Sequence, residues 1–307
     1  MDSVFYGDKD GAFFSYEDIN KCRVLKKCVY ADSVNDLVKA KEFVIPPLKH
    51  GEKRILSADV ALLAGKKNDA ASLFINSCIP NKKQKYTGNL IYTENHEGLR
   101  TDDLALVIRR LYEQFHCTDI AIDVSGLGIG VYDALANDIY DPTNGKTYCA
   151  LSCCNNKDYA ERCKDKEAPK VIWAIKATQA FNTSIYLALR EAFKQGKINL
   201  LVGEYDAEEM LKDIRGYSKM DTILKAKLAL PYIHTTLLMH ELIELEYKTV
   251  GTDIKVYEKS GMRKDRVSSV AYNYFVQQEL ERKLRKPRNN AEEIFKIPFR
   301  QPIMKKR

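Results

Sequence analysis

The chain has 307 residues, 45% of them hydrophobic and 30% charged, and a formal net charge of +7 at pH 7. No apolar run is long enough to cross a bilayer, and the N-terminal MDSVFYGDKDGAFF lacks the basic and apolar regions of a secretory signal. We therefore expect a globular protein in a reducing cytoplasm, whose eight cysteines are thiols or metal ligands rather than disulfides.

Positive charge is concentrated at one end of the chain. Residues 281–307 contain ten Lys or Arg and three Glu, an excess equal to the formal net charge of +7 of the whole chain. Such a tail is typical either of a solvated chain end or of a segment that binds nucleic acid or an acidic protein surface. Composition alone leaves both possibilities open.

The first half of the chain predicts a sheet. Residues 1–50 are interpreted as a linker segment with a short helix near 16–27. Three apolar runs follow, at 54–63, 70–79 and 85–93, and turn residues separate them. This spacing favours an antiparallel β-meander.

A helix, a strand and a second helix come next. Apolar residues recur at helical spacing over 101–115, with Thr101 as the predicted N-cap, and a short buried strand is predicted at 119–124. GLGIG then leads into a helix over 131–139. This order predicts an α/β chain of the ribonuclease H-like fold, a central mixed β-sheet flanked by helices, in which the strand after the first helix lies parallel beside the first strand.

The rest of the chain is predicted to be mainly helical. Pro231 is expected to interrupt the longest of its helices. The predicted elements are, in chain order, a helix over 171–196, a short strand at 197–202, helices over 206–217 and 221–250, a late strand at 253–259 and a final helix over 266–286.

Three carboxylates stand at special places in this pattern. Asp59 lies inside the first strand, Asp123 ends the strand after the helix, and Asp265 precedes the final helix. Each has an ordinary explanation alone: a satisfied core carboxylate, a turn residue and a helix N-cap, respectively. If the two strands are parallel neighbours, however, Asp59 and Asp123 project from adjacent strand ends, where sheet proteins commonly place their sites.

Carboxylates that converge repel one another unless a hard cation lies between them, and Mg²⁺ or Mn²⁺ prefers such oxygen ligands. Two such ions can activate a water molecule and stabilise the leaving oxygen in phosphodiester hydrolysis. The three carboxylates therefore predict a nuclease.

The same residues carry a family resemblance. ILSADVALLAGKKNDAAS, DIAIDVSGLGIGVYDAL and KSGMRKDRVSSVAYNYF closely resemble the nuclease half of the large terminase subunit of tailed bacteriophages, and VIWAIKATQAFN and GKINL extend the resemblance over roughly residues 54–280. It implies an endonuclease that cuts double-stranded DNA during genome packaging, with two Mg²⁺ or Mn²⁺ ions held by Asp59, Asp123 and Asp265. Asp69 resembles an accessory acidic ligand, although it could equally be a turn residue.

The resemblance also implies partners and a place of action. Large terminases begin with an ATPase domain, but the sequence contains no GxxxxGK[ST] phosphate loop. We therefore interpret residues 1–50 as resembling the junction after a missing ATPase, 51–280 as the nuclease domain and 281–307 as a basic tail. The implied partners are DNA, the ATPase domain, the small subunit and the portal, at the procapsid in the host cytoplasm, with no membrane.

Basic residues near the acidic ones are candidates for contact with the DNA backbone. They are Lys66, Lys67, Arg263, Lys264 and Arg266. Contacts to phosphates alone would make cleavage largely independent of sequence and sensitive to salt.

Several alternatives remain open at this stage. A transposase or junction resolvase would share the fold, and a motor or portal docking module without catalysis is a different class. Cys149, Cys153, Cys154 and Cys163 lie in one stretch, either as a zinc site or as reduced thiols. Glu94 and His96 could approach the acidic site or lie in a surface loop, and the glycines of GLGIG would let the backbone pass close to metal or DNA.

Overall fold

The protein, as a computed structural model, is described for residues 12–31, 45–60, 70–83, 85–250, 253–259 and 263–285. The first elements are α1 (Tyr16–Asn20), β1 (Arg23–Leu25), β2 (Lys53–Asp59), β3 (Ala70–Pro80), β4 (Tyr86–Glu97), α2 (Thr101–Gln114), β5 (Asp119–Asp123), α3 (Gly128–Leu135), β6 (Ile139–Asp141), β7 (Lys146–Tyr148) and β8 (Ser152–Cys153). They are followed by α4 (Lys157–Arg162), β9 (Lys170–Ile175), α5 (Gln179–Lys194), β10 (Ile198–Leu201), α6 (Glu204–Lys212), a 3₁₀ turn (Tyr217–Lys219), α7 (Thr222–Glu244), β11 (Glu246–Val250), β12 (Asp253–Tyr257) and α8 (Asp265–Arg285).

Eight strands form one mixed sheet, in the order β1-β10-β4-β3-β2-β5-β9-β8. Strands β2, β3 and β4 are an antiparallel meander, and β5 returns to pair in parallel with β2. The predicted fold class, an α/β protein with a mixed sheet flanked by helices and the ribonuclease H-like strand order, is confirmed. None of the helices in the described ranges is long and apolar enough to span a bilayer.

The sheet separates two hydrophobic cores. Ile55 of β2 and Ala121 of β5 lie in the core that contains the buried residues of α5 and α8. Leu56 and Ile122, the next residue on each strand, lie in the core with α2 and α3. Because side chains alternate between the two faces of a strand, every second residue of β2 and β5 points towards α8. Burial on both faces explains why these strands read as nearly continuous apolar runs.

Helix α8 is attached to the sheet by polar as well as apolar contacts. Four buried polar residues, one every four positions, each hydrogen bond to β2, β3 or β4: Ser269, Asn273, Gln277 and Glu281. For example, Asn273 Nδ2 donates to the carbonyl of Ile55 at 3.0 Å, and the Glu281 carboxylate accepts from the amide of Tyr86 at 3.0 Å. Residues spaced by four lie on one face of a helix, so these four form a polar seam along the face of α8 that meets the sheet.

Several predicted elements were wrong in type or extent. Residues 171–175, predicted as the start of a helix, belong to strand β9, because their β-branched and aromatic side chains extend the sheet beside β5. The helix predicted near 16–27 ends at Asn20, and β1 follows it and pairs with β10, so part of the predicted linker belongs to the sheet.

Two helix ends also differ. Pro231 lies within α7, where burial of the surrounding helix outweighs the backbone hydrogen bond that a proline lacks, and the helix then ends at Glu244, before β11. Thr101 is the first helical residue of α2 rather than its N-cap, a position that Arg100 takes without a side-chain hydrogen bond.

Candidate active site

Asp59 and Asp123 are the last residues of neighbouring parallel strands. The register pairs Ala58 of β2 with Ile122 of β5, so each strand places a carboxylate at the next position. Asp59 lies four positions after Ile55 on β2, and Asp123 lies two positions after Ala121 on β5, so both aspartates are on the face of the sheet that α8 covers. The strand pairing predicted from sequence thus brings these two carboxylates to one edge.

Asp265 joins them from the first turn of α8. Its Oδ2 accepts a hydrogen bond from the amide of Ala70, which begins β3, at 3.5 Å. The pKa of Asp59 is raised well above its usual value, chiefly by burial and then by the negative charges of Asp265 and Asp123. The three carboxylates are therefore close enough to repel one another in their ionised forms.

Two groups oppose this repulsion. A hydrogen bond from Ser268 and the positive charge of Lys264 both lower the pKa of Asp59, but together they do not offset burial and the two neighbouring carboxylates. Asp59 is thus a half-buried acid that lacks sufficient positive charge around it. A divalent cation would supply that charge, and an all-carboxylate donor set is one that Mg²⁺ and Mn²⁺ prefer.

The donor chemistry fits a hard cation, but the side chains as placed do not enclose one. Within the described ranges, no group of three or more histidine, cysteine, aspartate or glutamate side chains is arranged to hold a metal ion. The stretch from Cys149 to Cys163 lies within these ranges, with Cys149 exposed and Cys153 and Cys163 buried.

The basic residues predicted to contact DNA have different environments. Lys264 Nζ lies 2.6 Å from Glu258 Oε2, and Arg263 Nη1 lies 3.3 Å from Glu97 Oε1, in partly exposed pairs. Lys66, Lys67 and the accessory acid Asp69 lie outside the described residues.

Arg266 does not fit its predicted contact with DNA. Only 8% of it is exposed, and its guanidinium Nη1 lies 2.5 Å from Glu241 Oε1 of α7. Adjacent residues of a helix are about 100° apart around its axis, so Arg266 faces α7 although Asp265 faces the sheet. It is therefore a buried partner of Glu241 and not a residue that reaches phosphate in this structure.

Glu241 was not identified from the sequence. Besides Arg266, its carboxylate Oε2 accepts from the backbone amides of Arg266 at 3.1 Å and Val267 at 3.4 Å. These are among the first amides of α8, which have no partner within their own helix. Glu241 thus acts as a capping group from another helix and holds the end of α8 that carries Asp265.

Two hydroxyl groups of α8 interact with the acidic residues, and one hydroxyl group of α5 contacts the serine among them. Tyr272 donates to Asp123 Oδ2 at 3.3 Å, Ser268 bonds to Asp59, and the Tyr186 hydroxyl lies 3.1 Å from Ser268 Oγ. Burial, followed by the charges of Asp59 and Asp123, raises the pKa of Tyr272, which keeps the phenol protonated as a donor. The spacing of 265, 268 and 272 along one helix face is a signal that the sequence contains.

Gly128 brings α3 against the backbone of Asp123. A Cβ atom at this position would lie 1.8 Å from the Asp123 carbonyl oxygen, a distance that no side chain can tolerate. Gly126 has a φ of 53°, in the left-handed region, where glycine carries no penalty. The glycines of GLGIG therefore allow a close approach, and the atom approached is the backbone of Asp123.

Glu94 and His96 bond mainly to each other. His96 Nε2 lies 2.7 Å from Glu94 Oε1, and the Tyr92 hydroxyl donates to Glu94 Oε2 at 2.6 Å. Neither residue is among the largest influences on the pKa of Asp59. Their predicted approach to the acidic site has no support from these contacts.

Neither a protein-family model nor a curated protein sequence matches the chain. Among solved structures, it is similar to the large terminase nuclease of thermophilic phage G20c with bound magnesium, at 12% identity and a TM-score of 0.47, over 87% of this chain and 98% of that one. The cobalt-bound form of that nuclease gives the same values. The HK97 bacteriophage large terminase is similar at 8% identity and a TM-score of 0.40, over 85% of this chain and 42% of that one.

These identities and TM-scores are low, and the function proposed below rests on the residues of this chain.

Proposed function

We propose that this protein is a metal-dependent endonuclease that hydrolyses phosphodiester bonds of double-stranded DNA during phage genome packaging. One observation carries the proposal. Asp59, Asp123 and Asp265, from two strands and a helix that are distant in sequence, meet closely enough for the latter two to raise the pKa of Asp59. A protein gains no stability from three mutually repelling carboxylates, so a function that needs them is the better explanation.

In this proposal Asp59, Asp123 and Asp265 hold two Mg²⁺ or Mn²⁺ ions, with Asp69 as an accessory ligand. When bound, the ions would lower the pKa of a water molecule and stabilise the charge on the leaving oxygen. Asp59 interacts with the charge of both other aspartates, so it is the ligand whose loss should affect the site most.

The proposed DNA contacts come from partly exposed basic residues beside the site. Lys264 and Arg263 are 36% and 33% exposed and are held by Glu258 and Glu97. Such pairs contribute little to stability, about 0–1 kcal/mol, so a phosphate can replace the glutamate at small cost. Lys66, Lys67 and the basic tail remain further candidates, the tail also for contacts with the packaging motor or the portal.

The direct test is nicking of supercoiled plasmid in the presence of Mn²⁺. We expect the parent to convert supercoiled to open-circular and linear DNA, and Asp59→Asn to lower the rate by at least about 100-fold, as the loss of a metal ligand should. Asp213→Asn is the matched control, because Asp213 is an exposed aspartate at the end of α6.

Two results would refute the proposal. One is an Asp59→Asn protein that nicks as fast as the parent, and the other is a parent that binds no Mn²⁺ and cuts no DNA. Cleavage restricted to four-way junctions or transposon ends would instead favour a resolvase or transposase, so both substrates belong in the assay.

A further inference from the structure

One side of α8 meets all three carboxylates of the site. Asp265, Ser268 and Tyr272 are separated by three and four positions, which places them along one stripe of the helix. Asp265 is itself one of the carboxylates, Ser268 bonds to Asp59, and Tyr272 bonds to Asp123. A single helix therefore touches each strand carboxylate through a hydroxyl group.

Tyr272 makes the second of two hydrogen bonds that orient the Asp123 carboxylate. The two oxygens of this carboxylate have different partners: Oδ1 accepts from the amide of Ser125 at 2.8 Å, and Oδ2 accepts from the Tyr272 hydroxyl at 3.3 Å. The amide belongs to the turn that follows β5, whereas the phenol comes from α8. Since Tyr272 is only 3% exposed, its ring has little freedom to turn away.

Ser268 has the same relation to Asp59, with one further link behind it. Ser268 is placed to donate its hydroxyl hydrogen to Asp59, and this interaction lowers the pKa of the Asp59 carboxyl. The Tyr186 hydroxyl of α5 lies 3.1 Å from Ser268 Oγ, and either oxygen can be the donor of this hydrogen bond. Ser268 and Tyr186 are 4% and 3% exposed, so water does not compete for this chain of hydrogen bonds.

We propose that Tyr272 and Ser268 are positioning residues of the metal centre, through which α8 sets the orientation of the Asp123 and Asp59 carboxylates. This inference rests on the proposed function, because orientation of the carboxylates matters only if they bind metal. Carboxylate ligands are commonly held by outer hydrogen bonds of this kind, and removing one typically costs about 10–100-fold in metal affinity or activity.

The test is Mn²⁺ binding by calorimetry, without DNA. We expect Tyr272→Phe, which removes only the hydroxyl, to weaken Mn²⁺ affinity by about 10–100-fold. Tyr274→Phe is the matched control: Tyr274 is a buried tyrosine of the same helix, 4% exposed, outside the stripe. It should leave Mn²⁺ affinity unchanged. Thermal unfolding of both variants in chelator separates loss of metal binding from loss of structure.

Ser268 provides an independent pair of variants. Ser268→Ala should weaken Mn²⁺ affinity, and Ser268→Thr, which restores a hydroxyl at the same position, should recover most of it. The inference is overturned if Tyr272→Phe and Ser268→Ala bind Mn²⁺ as tightly as Tyr274→Phe while the parent binds Mn²⁺ and nicks DNA. A parent that neither binds Mn²⁺ nor nicks DNA overturns the proposed function itself.

Discussion

A single added methyl group at Gly128 should disable the site without touching any side chain of it. Gly128→Ala would place a Cβ 1.8 Å from the carbonyl oxygen of Asp123 and 2.9 Å from its carbonyl carbon. Both are backbone atoms at the end of β5, which is paired on both sides within the sheet, so they cannot turn aside. Helix α3 must therefore move away from the strand, or the end of the strand must bend.

The displacement can be worked from the structure. Opening the 1.8 Å approach to an ordinary contact of 3.4 Å requires α3 and the end of β5 to separate by about 1.6 Å. Overpacking of this kind typically costs about 1–3 kcal/mol of unfolding free energy. A displacement of about 1 Å at a reacting group can also lower the rate by about 100-fold, and Asp123 is such a group under the proposed function.

Gly130→Ala is the matched control for this prediction. It lies in the same helix, and the nearest atoms to its added Cβ would be those of the Thr101 side chain, with the methyl carbon at 3.1 Å. Alanine is also favoured over glycine in a helix by about 1 kcal/mol, so this variant should be as stable as the parent or more so.

The assay is urea unfolding followed by circular dichroism, together with plasmid nicking in Mn²⁺. We expect Gly128→Ala to lose stability and nicking, and Gly130→Ala to retain both. If the two variants match each other in unfolding free energy and in nicking rate, the close approach between α3 and Asp123 does not exist as described, and the reasoning is refuted.

Two further predictions concern stability in the metal-free protein. The folded state raises the pKa of Asp59 above its usual value of 3.8, so the free energy of unfolding falls as the pH rises from 3.8 through the raised folded pKa. Asp59→Asn should therefore melt at a higher temperature than the parent at pH 7 in chelator. An unchanged or lower melting temperature would contradict this. Glu241→Ala leaves Arg266 buried without its partner and should lower the free energy of unfolding in urea by about 3–5 kcal/mol. Glu208→Ala, which breaks an exposed ion pair, should lower it by less than about 1 kcal/mol. Equal losses would refute the burial of the Glu241–Arg266 pair.

The positions of Asp59 and Asp123 were predictable because two simple periodicities determine them. Alternation along a strand decides which face a side chain meets, and the parallel return of β5 after α2 places the two strand ends together. Both features depend on the order and the apolar runs of the elements, which local sequence contains. Asp265 was singled out by its place before the final helix, but no local pattern says which face of the sheet that helix covers, so its meeting with the other two was an inference from the joint pattern and the resemblance.

The surroundings of the three carboxylates were harder to predict, because they depend on how α8 is turned. Helical spacing identifies an inward face, but it does not say which inward residue meets a carboxylate and which meets apolar core. Tyr272 was therefore treated only as part of a predicted helix and not as a residue of the site, although its hydroxyl donates to Asp123. Arg266, next to Asp265 in sequence, was assigned to the wrong partner for the same reason.

The polar seam of α8 has a consequence for how the helix can change. Apolar contacts let a helix slide or rotate by small amounts, whereas the hydrogen bonds of Ser269, Asn273, Gln277 and Glu281 with the strands hold only at fixed distances and angles. One residue inserted between Asp265 and Ser269 would leave these four hydrogen bonds in place and rotate Asp265 by about 100° around the helix axis. We therefore expect that insertions and deletions are not tolerated in the first turn of α8. Helix α8 could be exchanged between related proteins only as a whole, with Asp265 and the four seam residues kept at their spacing.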